Sequence, residues 1–495
     1  MPNPPSADVA RAMILPLALA QFICSYAGTA MNVAIAPMAR DLDTTVFGVQ
    51  ASITLFTLTM AALMIPGSKL TDVWGRKRCL VAGLLLYGTG ALLAALAPGL
   101  GVMILGNALL EGVGSALMIP PIYILVTVMA PDLATRARYF GVVSGAGALG
   151  AATGPLIGGL ITSLFSWRAS FLLQVIVIAW IIVLIRRLPA PARTGPAPSF
   201  DVTGALLSAA GLLLVVLGVL LSTTYGWGAA RSDVVVAGRV VIDEGGISPV
   251  WPTLTLGALT LASFAWHLHR AERRGREPLL HLRLFRDRAA NLGLGTQAVQ
   301  WLVMQGTFFV TAVYLQDALG YNAVMTGLVL TPATAGILAS SAAAERFARN
   351  RTQRTLIIAG FVLTVAGMAT LLALVAAGTG IWRTVPGLLL AGLGLGTMLT
   401  ASVNLVQSSF PDHDQSDISG MSRSVSNLGS SLGTALAGSV IVSAAHPGAH
   451  PYAASLVVLL VIAVGGLLVS VLLPRTPAPS PSPSPTQSPA PEQPH

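Results

Sequence analysis

The sequence predicts an all-α polytopic membrane protein that crosses the bilayer fourteen times. Three observations predict it. Only 9% of the 495 residues are charged and 54% are hydrophobic, whereas an ordinary soluble chain carries about 25% charged residues. Fourteen apolar stretches recur along the chain, each near the roughly twenty residues a helix needs to cross the hydrocarbon. The positive charges fall almost entirely on one set of alternate loops.

In order, the stretches lie near 13–36, 46–68, 79–97, 102–127, 139–162, 169–187, 203–223, 251–269, 291–316, 326–344, 356–377, 384–408, 419–442 and 452–473. The first is longer than the roughly 7–15-residue core of a cleavable signal, so it reads as a retained span. Between the seventh and eighth, the segment 225–250 contains "RSDVVVAGRVVIDEGG", an alternating run broken at Ala237-Gly238. It predicts a small hairpin outside the bilayer. The Pro/Ser-rich tail, 474–495, predicts disorder.

With the N-terminus in the cytoplasm, 23 of the 28 Lys and Arg residues fall on inner loops. The outer loops keep only Arg40, Arg168, Arg231, Arg239 and Arg383. That asymmetry places both termini in the cytoplasm of a multi-pass cell-membrane protein. It also accounts for the net charge of +9 without a nucleic-acid partner. Cys24 and Cys79 form neither a metal spacing nor a disulfide framework. No phosphate-binding G-x-x-x-x-G-K-[ST] loop occurs, and no span carries a nucleophile with a base at helical spacing. The chain is therefore expected to be no enzyme and to need no cofactor or metal.

The fifth stretch contains "GAGALGAATGPLIGG", residues 145–159, with a G-x-G-x-x-G at Gly145, Gly147 and Gly150. A dinucleotide fingerprint needs a preceding strand and an acid about twenty residues on. No Asp or Glu lies between Asp132 and Asp201, so that reading is excluded. Gly150, Gly154 and Gly158 instead share one helix face, and Gly147, Ala151, Pro155 and Gly159 form the adjoining row. Such rows of small residues let membrane helices approach to backbone distance. Pro155 removes an amide hydrogen bond and predicts a bend. Spacing alone leaves open whether the contact is static or rocks.

An internal echo points to two related halves. "LGAATG" at 149–154 matches "LGSSLG" at 428–433, and "DVWGRKR" at 72–78 has a worn copy in "ERFARNR" at 345–351. Repeated halves are a common plan of transporters.

With these motifs the sequence resembles the major facilitator superfamily, and within it the fourteen-span drug:proton antiporter branch. "SKLTDVWGRKR" (68–78) is similar to the family's loop between helices 2 and 3, with Ser68 in place of a leading glycine. "GALGAATGPLIGG" resembles the helix 5 signature of antiporters. "SWRASFLLQV" (166–175) and "EPLLHLRLFRDR" (277–288) are similar to the stretches entering helix 6 and following the two inserted helices. The resemblance implies the major facilitator fold, two six-helix bundles plus two inserted helices. The expected division is a cytoplasmic N-terminus (1–12), an N-terminal bundle (13–187), helices 7 and 8 with their loops (188–290), a C-terminal bundle (291–473) and a cytoplasmic tail (474–495). The branch usually carries an Asp in helix 1 and an Arg in helix 4; Ala27 and Ala108 stand there instead.

Glu111 is the one acid of nineteen near the middle of a span. A carboxyl in lipid is costly as a charge and is functional by default, so Glu111 is the candidate to carry a proton or to meet a cationic solute. The competing role is a protonated hydrogen bond to a neighbouring helix. Asp201, Asp317 and Glu345 sit near span ends. Polar and aromatic groups at helical spacing nominate a substrate cavity: Gln21, Tyr26 and Asn32 on helix 1, Tyr123 on helix 4, Gln297, Gln300, Trp301 and Met304 on helix 9, and Asn404 and Gln407 on helix 12. In lipid each amide must find a partner, so these faces point inward, and many simply glue helices together. By resemblance, Asp72, Gly75, Arg76 and Lys77, with Asp132 as a further partner, form a gate at the inner face.

The expected function is export of amphipathic, drug- or antibiotic-like small molecules by alternating access, coupled to protons, by a monomer in the lipid bilayer. Two alternatives stay open: an uncoupled or lipid-moving member of the superfamily, and a transport-inactive sensor on the same fold.

Overall fold

Among the described residues, fourteen long helices follow one another, as the apolar stretches predict. The computed structural model describes residues 7–129, 133–186, 199–236, 239–347, 351–376, 384–410, 415–444 and 450–474. Helix α1 (Ala7–Ala30) runs on through a 3₁₀ turn, Met31–Ala34, into the short helix Ile35–Asp41. Then come α2 (Val46–Trp74), α3 (Arg76–Ala95) and α4 (Gly112–Met129), the last entered through a π-helical segment, Ile104–Glu111. Next are α5 (Leu133–Leu164), α6 (Trp167–Arg186), α7 (Val202–Tyr225), α8 (Val250–Arg273) and α9 (Arg288–Val313). The last five are α10 (Ala323–Phe347), α11 (Gln353–Ala376), α12 (Val385–Ser408), α13 (Gln415–Ser443) and α14 (Pro451–Val471).

Among the described residues, thirteen helices are long and apolar enough to cross a bilayer. Helix α8 forms at the eighth predicted stretch but falls short of the others in hydropathy, because it ends in His267, His269 and Arg270. The hairpin predicted in 225–250 is present: Val234–Val236 pairs antiparallel with Arg239–Ile242, Val236 opposite Arg239. Its tip, 237–238, and the tail from 475 lie outside the described residues.

Local chemistry sets several helix ends. Thr45, Asp201 and Asp287 each accept a backbone amide of the first turn, from Gly48 (3.1 Å), Gly204 (2.8 Å) and Ala290 (2.6 Å), to start α2, α7 and α9. Gly75, at φ 97°, turns the chain from α2 into α3 in a conformation that only glycine takes without strain.

The helix contacts repeat with a shift of eight. Helix α1 packs on α5 and α6, and α3 on α4 and α6; correspondingly α9 packs on α13 and α14, and α11 on α12 and α14. Matching glycines make these contacts. A Cβ at Gly90 would lie 2.6 Å from the Gly106 carbonyl oxygen, and one at Gly367 would lie 2.7 Å from that of Gly387. Gly150 and Gly154 meet the backbone of Phe22 and Tyr26, as Gly429 and Gly433 meet that of Ala298 and Leu302. These four glycines belong to the "LGAATG" and "LGSSLG" copies. Of the other echo, residues 348–350 of the second copy lie outside the described residues.

The two glycine rows of α5 serve different partners. Gly150, Gly154 and Gly158 seat α1 within the same half. Gly159 and the Pro155 carbonyl meet the other half at Ala323 and Gly327 of α10. Gly147 faces Gln21 instead, 3.0 Å from Cγ to an added Cβ, while nothing lies within 4 Å of one at Gly145. Alongside this α5–α10 seam runs a second, α2 on α13. Inserted helix α7 packs over that second seam: the Trp227 indole and the Ser222 hydroxyl both donate to Ser439 Oγ at 2.7 Å. Helix α8 touches α7 through Gly211, Gly218 and Gly257.

Candidate functional site

A cavity of about 80 Å³ opens between the two halves, where α1, α2, α4 and α5 face α9 and α13. Its wall is mixed. Phe56, Met60 and Ile119 supply apolar surface; Gln21, Trp301 and Gln305 supply polar groups; Arg423 supplies a charge. The polar atoms are not all satisfied. Gln21 Nε2 donates to Ser25 Oγ at 3.2 Å, but Gln21 Oε1 and Trp301 Nε1 are buried with no partner among the described residues.

Polar contacts cross between the halves at both ends of this cavity. Toward the end bearing the 69–78 loop, Lys69 of α2 pairs with the buried Asp417 of α13 at 2.8 Å. Nearly two turns of α13 further in, the Arg423 guanidinium donates to the Tyr123 hydroxyl of α4 and lies 4.8 Å from that ring's centre. At the opposite end Gln316 bridges to the extension of α1, donating to the Asn32 carbonyl at 2.9 Å and accepting from the Ala36 amide at 3.0 Å. Ser163 of α5 accepts from the Val324 amide of α10 at 3.2 Å. Between the ends, Gln50 Nε2 donates to the Thr434 carbonyl at 2.7 Å, and the Thr57 and Ser431 hydroxyls lie 2.8 Å apart.

The cavity candidates from the sequence separate into three groups. Gln21 and Trp301 line the cavity, and Tyr123 lies beneath it as the partner of Arg423. Tyr26, Gln297 and Gln300 hold helices together instead. The Tyr26 and Ser170 hydroxyls sit 2.5 Å apart between α1 and α6, Gln297 links to Ser422 and Ser426 of α13, and Gln300 accepts from Ser402 of α12 at 3.1 Å. Asn32 is part of the closed far end, and Met304 is packed in the C-terminal core. Asn404 is exposed and Gln407 half-buried.

Glu111 lies one layer behind the cavity wall, 0% exposed, at the end of the π-helical segment. Segments of this kind often mark functional positions. One carboxylate oxygen accepts from Asn107 Nδ2 at 3.4 Å, and the other makes no hydrogen bond among the described residues. Asn107 in turn accepts from Ser52 Oγ at 3.2 Å. The Tyr87 hydroxyl, beside Glu111, donates to Gln174 at 2.7 Å. Ser115, one turn along α4, accepts from the Cys24 thiol at 3.5 Å, and Cys24 lines the cavity. Ala27 and Ala108 are buried in the same hydrophobic cluster as Cys24 and Tyr87. The layer in which the family resemblance leads one to expect an Asp and an Arg is thus apolar, with Glu111 next to it.

At the predicted gate, Asp72 lies near enough to Arg76 to act on it electrostatically. Lys77 reaches the Arg186 carbonyl at 3.5 Å. Asp132 lies outside the described residues. Ser68 is buried against Gly420 of α13, where a Cβ would lie 3.1 Å from its own; the small residue missing from position 68 is supplied from the facing helix. Of the acids near span ends, Asp201 accepts from His267 at 2.9 Å and from the Leu279 amide at 3.2 Å, and Asp317 from the Tyr452 hydroxyl at 3.0 Å. The side chain of Glu345 is not described.

The family model of the Major Facilitator Superfamily matches residues 17–434. The chain belongs to the major facilitator superfamily. This member is 30% identical to the puromycin resistance protein of Streptomyces alboniger, over 83% of its own length and 77% of the relative's. It is 27% identical to the tetracenomycin C resistance and export protein of Streptomyces glaucescens (84% and 73% covered) and 25% identical to multidrug resistance protein Stp of Mycobacterium tuberculosis (81% and 70%). A solved POT family transporter shares its fold, with a TM-score of 0.64 at 14% identity, covering 93% of this chain and 95% of that one. The superfamily member is a multi-pass membrane transporter.

Sequence reasoning missed Lys69, Asp417 and Arg423 as site residues. Lys69 and Arg423 counted only as charges at the cytoplasmic face. The signal was present for Arg423, which falls inside the thirteenth predicted stretch, where a charge demands a partner or a task; Lys69 and Asp417 lie just outside the predicted stretches.

Proposed function

We propose that this transporter exports amphipathic, drug- or antibiotic-like small molecules from the cell in exchange for protons, by alternating access. The cavity carries the reading. It lies on the seam between two repeated halves, its wall suits a largely apolar solute with a few hydrogen-bonding groups, and contacts bridge it at either end. Breaking Lys69–Asp417 and Tyr123–Arg423 opens one end; breaking the Gln316 and Ser163 bridges opens the other. The α5–α10 glycine contact is the surface on which the halves rock. The moving units are 13–187 and 291–473, with 188–290 inserted, and both termini lie in the cytoplasm as the charge asymmetry requires. The transporter works as a monomer. Its relatives, described as resistance and export proteins, support the direction and the class of cargo.

Glu111 carries the proton. It is a fully buried carboxyl with no cation beside it among the described residues, so its charge is costly there and its proton exchange waits on rearrangement. Each proton entering down 100 mV supplies about 2.3 kcal/mol. The test is dye transport by the purified protein in liposomes with an imposed pH gradient. Accumulation above that of empty liposomes, lost when an ionophore collapses the gradient, is expected. Flux that survives the collapse contradicts proton coupling, and binding without flux contradicts transport.

A further inference from the structure

We infer that the cavity selects amphipathic organic anions, with Arg423 docking their charge. The inference rests on the transport reading above and names its substrate class.

Arg423 is the one permanently charged group on the cavity wall, and no carboxylate lines that wall among the described residues. What holds the guanidinium is neutral: the ring and hydroxyl of Tyr123. Among the described residues its charge is therefore uncompensated in a largely apolar space, a costly arrangement that an incoming anion relieves. The planar fork of an arginine matches a carboxylate or sulfonate with two parallel hydrogen bonds. A cation faces the opposite situation, since nothing on the wall offsets its charge and Arg423 repels it.

Two further atoms extend the match. Trp301 Nε1 and Gln21 Oε1 are both buried and unpartnered among the described residues, and both residues line this cavity. The first calls for an acceptor on the ligand and the second for a donor. Phe56, Met60 and Ile119 take the apolar body, and Met60 adapts to varied shapes. The described ligand is an aromatic or polycyclic anion with an additional acceptor and donor. Because Arg423 also ties α13 to α4, an anion that draws on its N–H groups weakens a contact between the halves. Binding then favours opening at that end.

The experiment compares two xanthene dyes of similar size, the anion carboxyfluorescein and the cation rhodamine 123. Flux is measured with the full-length protein in liposomes, and binding by fluorescence polarisation in detergent. The expected result is a preference of the native protein for carboxyfluorescein of about tenfold, the size of one charge-assisted hydrogen bond. Arg423→Gln is expected to abolish or reverse that ratio, and Arg423→Lys to keep its direction. Gel filtration shows whether the Gln variant is folded; if it is not, the native ratio and the Lys variant decide. Preference for rhodamine 123, or the same ratio in the native and folded Gln proteins, overturns the inference. Transport of rhodamine 123 without carboxyfluorescein overturns it while leaving the export reading intact. Neither binding nor flux of either dye overturns both.

Discussion

Replacing Glu111 by Gln is expected to lower pH-driven transport by roughly tenfold or more, the scale of a lost coupling between two bound species, while leaving the protein folded. The substitution is nearly isosteric, and the amide can still accept from Asn107 Nδ2, which lies 3.4 Å from Glu111 Oε2. What it removes is the capacity to bind and release a proton. Flux down a dye gradient, measured with no pH difference, separates the two roles: it is expected to persist in Glu111→Gln, because the carboxyl lies behind the cavity wall and touches no solute there. If the variant exchanges dye for protons as well as the native protein, Glu111 is a hydrogen-bonded packing group and the coupling lies elsewhere.

Gly150→Leu and, in the matching row of the other half, Gly433→Leu are expected to have the largest effects on folding. An added Cβ at Gly150 would lie 3.0 Å from the Phe22 carbonyl carbon, and one at Gly433 2.9 Å from that of Leu302. The obstacle is backbone on a packed helix, so neither partner can yield by turning a side chain. Overpacking of this kind costs about 1–3 kcal/mol or more. Both variants are expected to extract from membranes in low yield and to melt well below the native protein in detergent. Gly145→Ala is the control: nothing lies within 4 Å of its Cβ, and Ala is the better helix former by about 1 kcal/mol. A normal melting curve for Gly150→Leu would show that the α1–α5 contact is looser than the glycine row implies.

The fold was legible because lipid imposes a coarse code. Span length, the scarcity of charge and the side on which Arg and Lys fall are all one-dimensional quantities. The α5 rows were legible for the same reason, since a four-residue repeat of glycine defines a helix face without knowledge of its partner. Which partner it meets was not: Gly158 seats α1 and its neighbour Gly159 seats α10. The cavity was only half legible. Gln21 and Gln300 look alike in sequence, both amides on apolar helices, but one lines the cavity and the other binds Ser402. Periodicity says that a residue faces protein rather than lipid, not which helix it faces. The pairs Lys69–Asp417 and Tyr123–Arg423 join residues 348 and 300 positions apart, and only the packing of the two halves brings them together.

A reversible tether across Lys69 and Asp417 tests the account most directly. With Cys24 and Cys79, both buried, replaced by Ala, Lys69→Cys and Asp417→Cys can be joined by a thiol cross-linker that a reductant cleaves. If the halves must part at that end in every cycle, joining them is expected to reduce dye flux to that of empty liposomes, and reduction to restore it. Full flux through the joined protein would contradict the opening of this seam and, with it, the alternating movement of the two halves about the cavity.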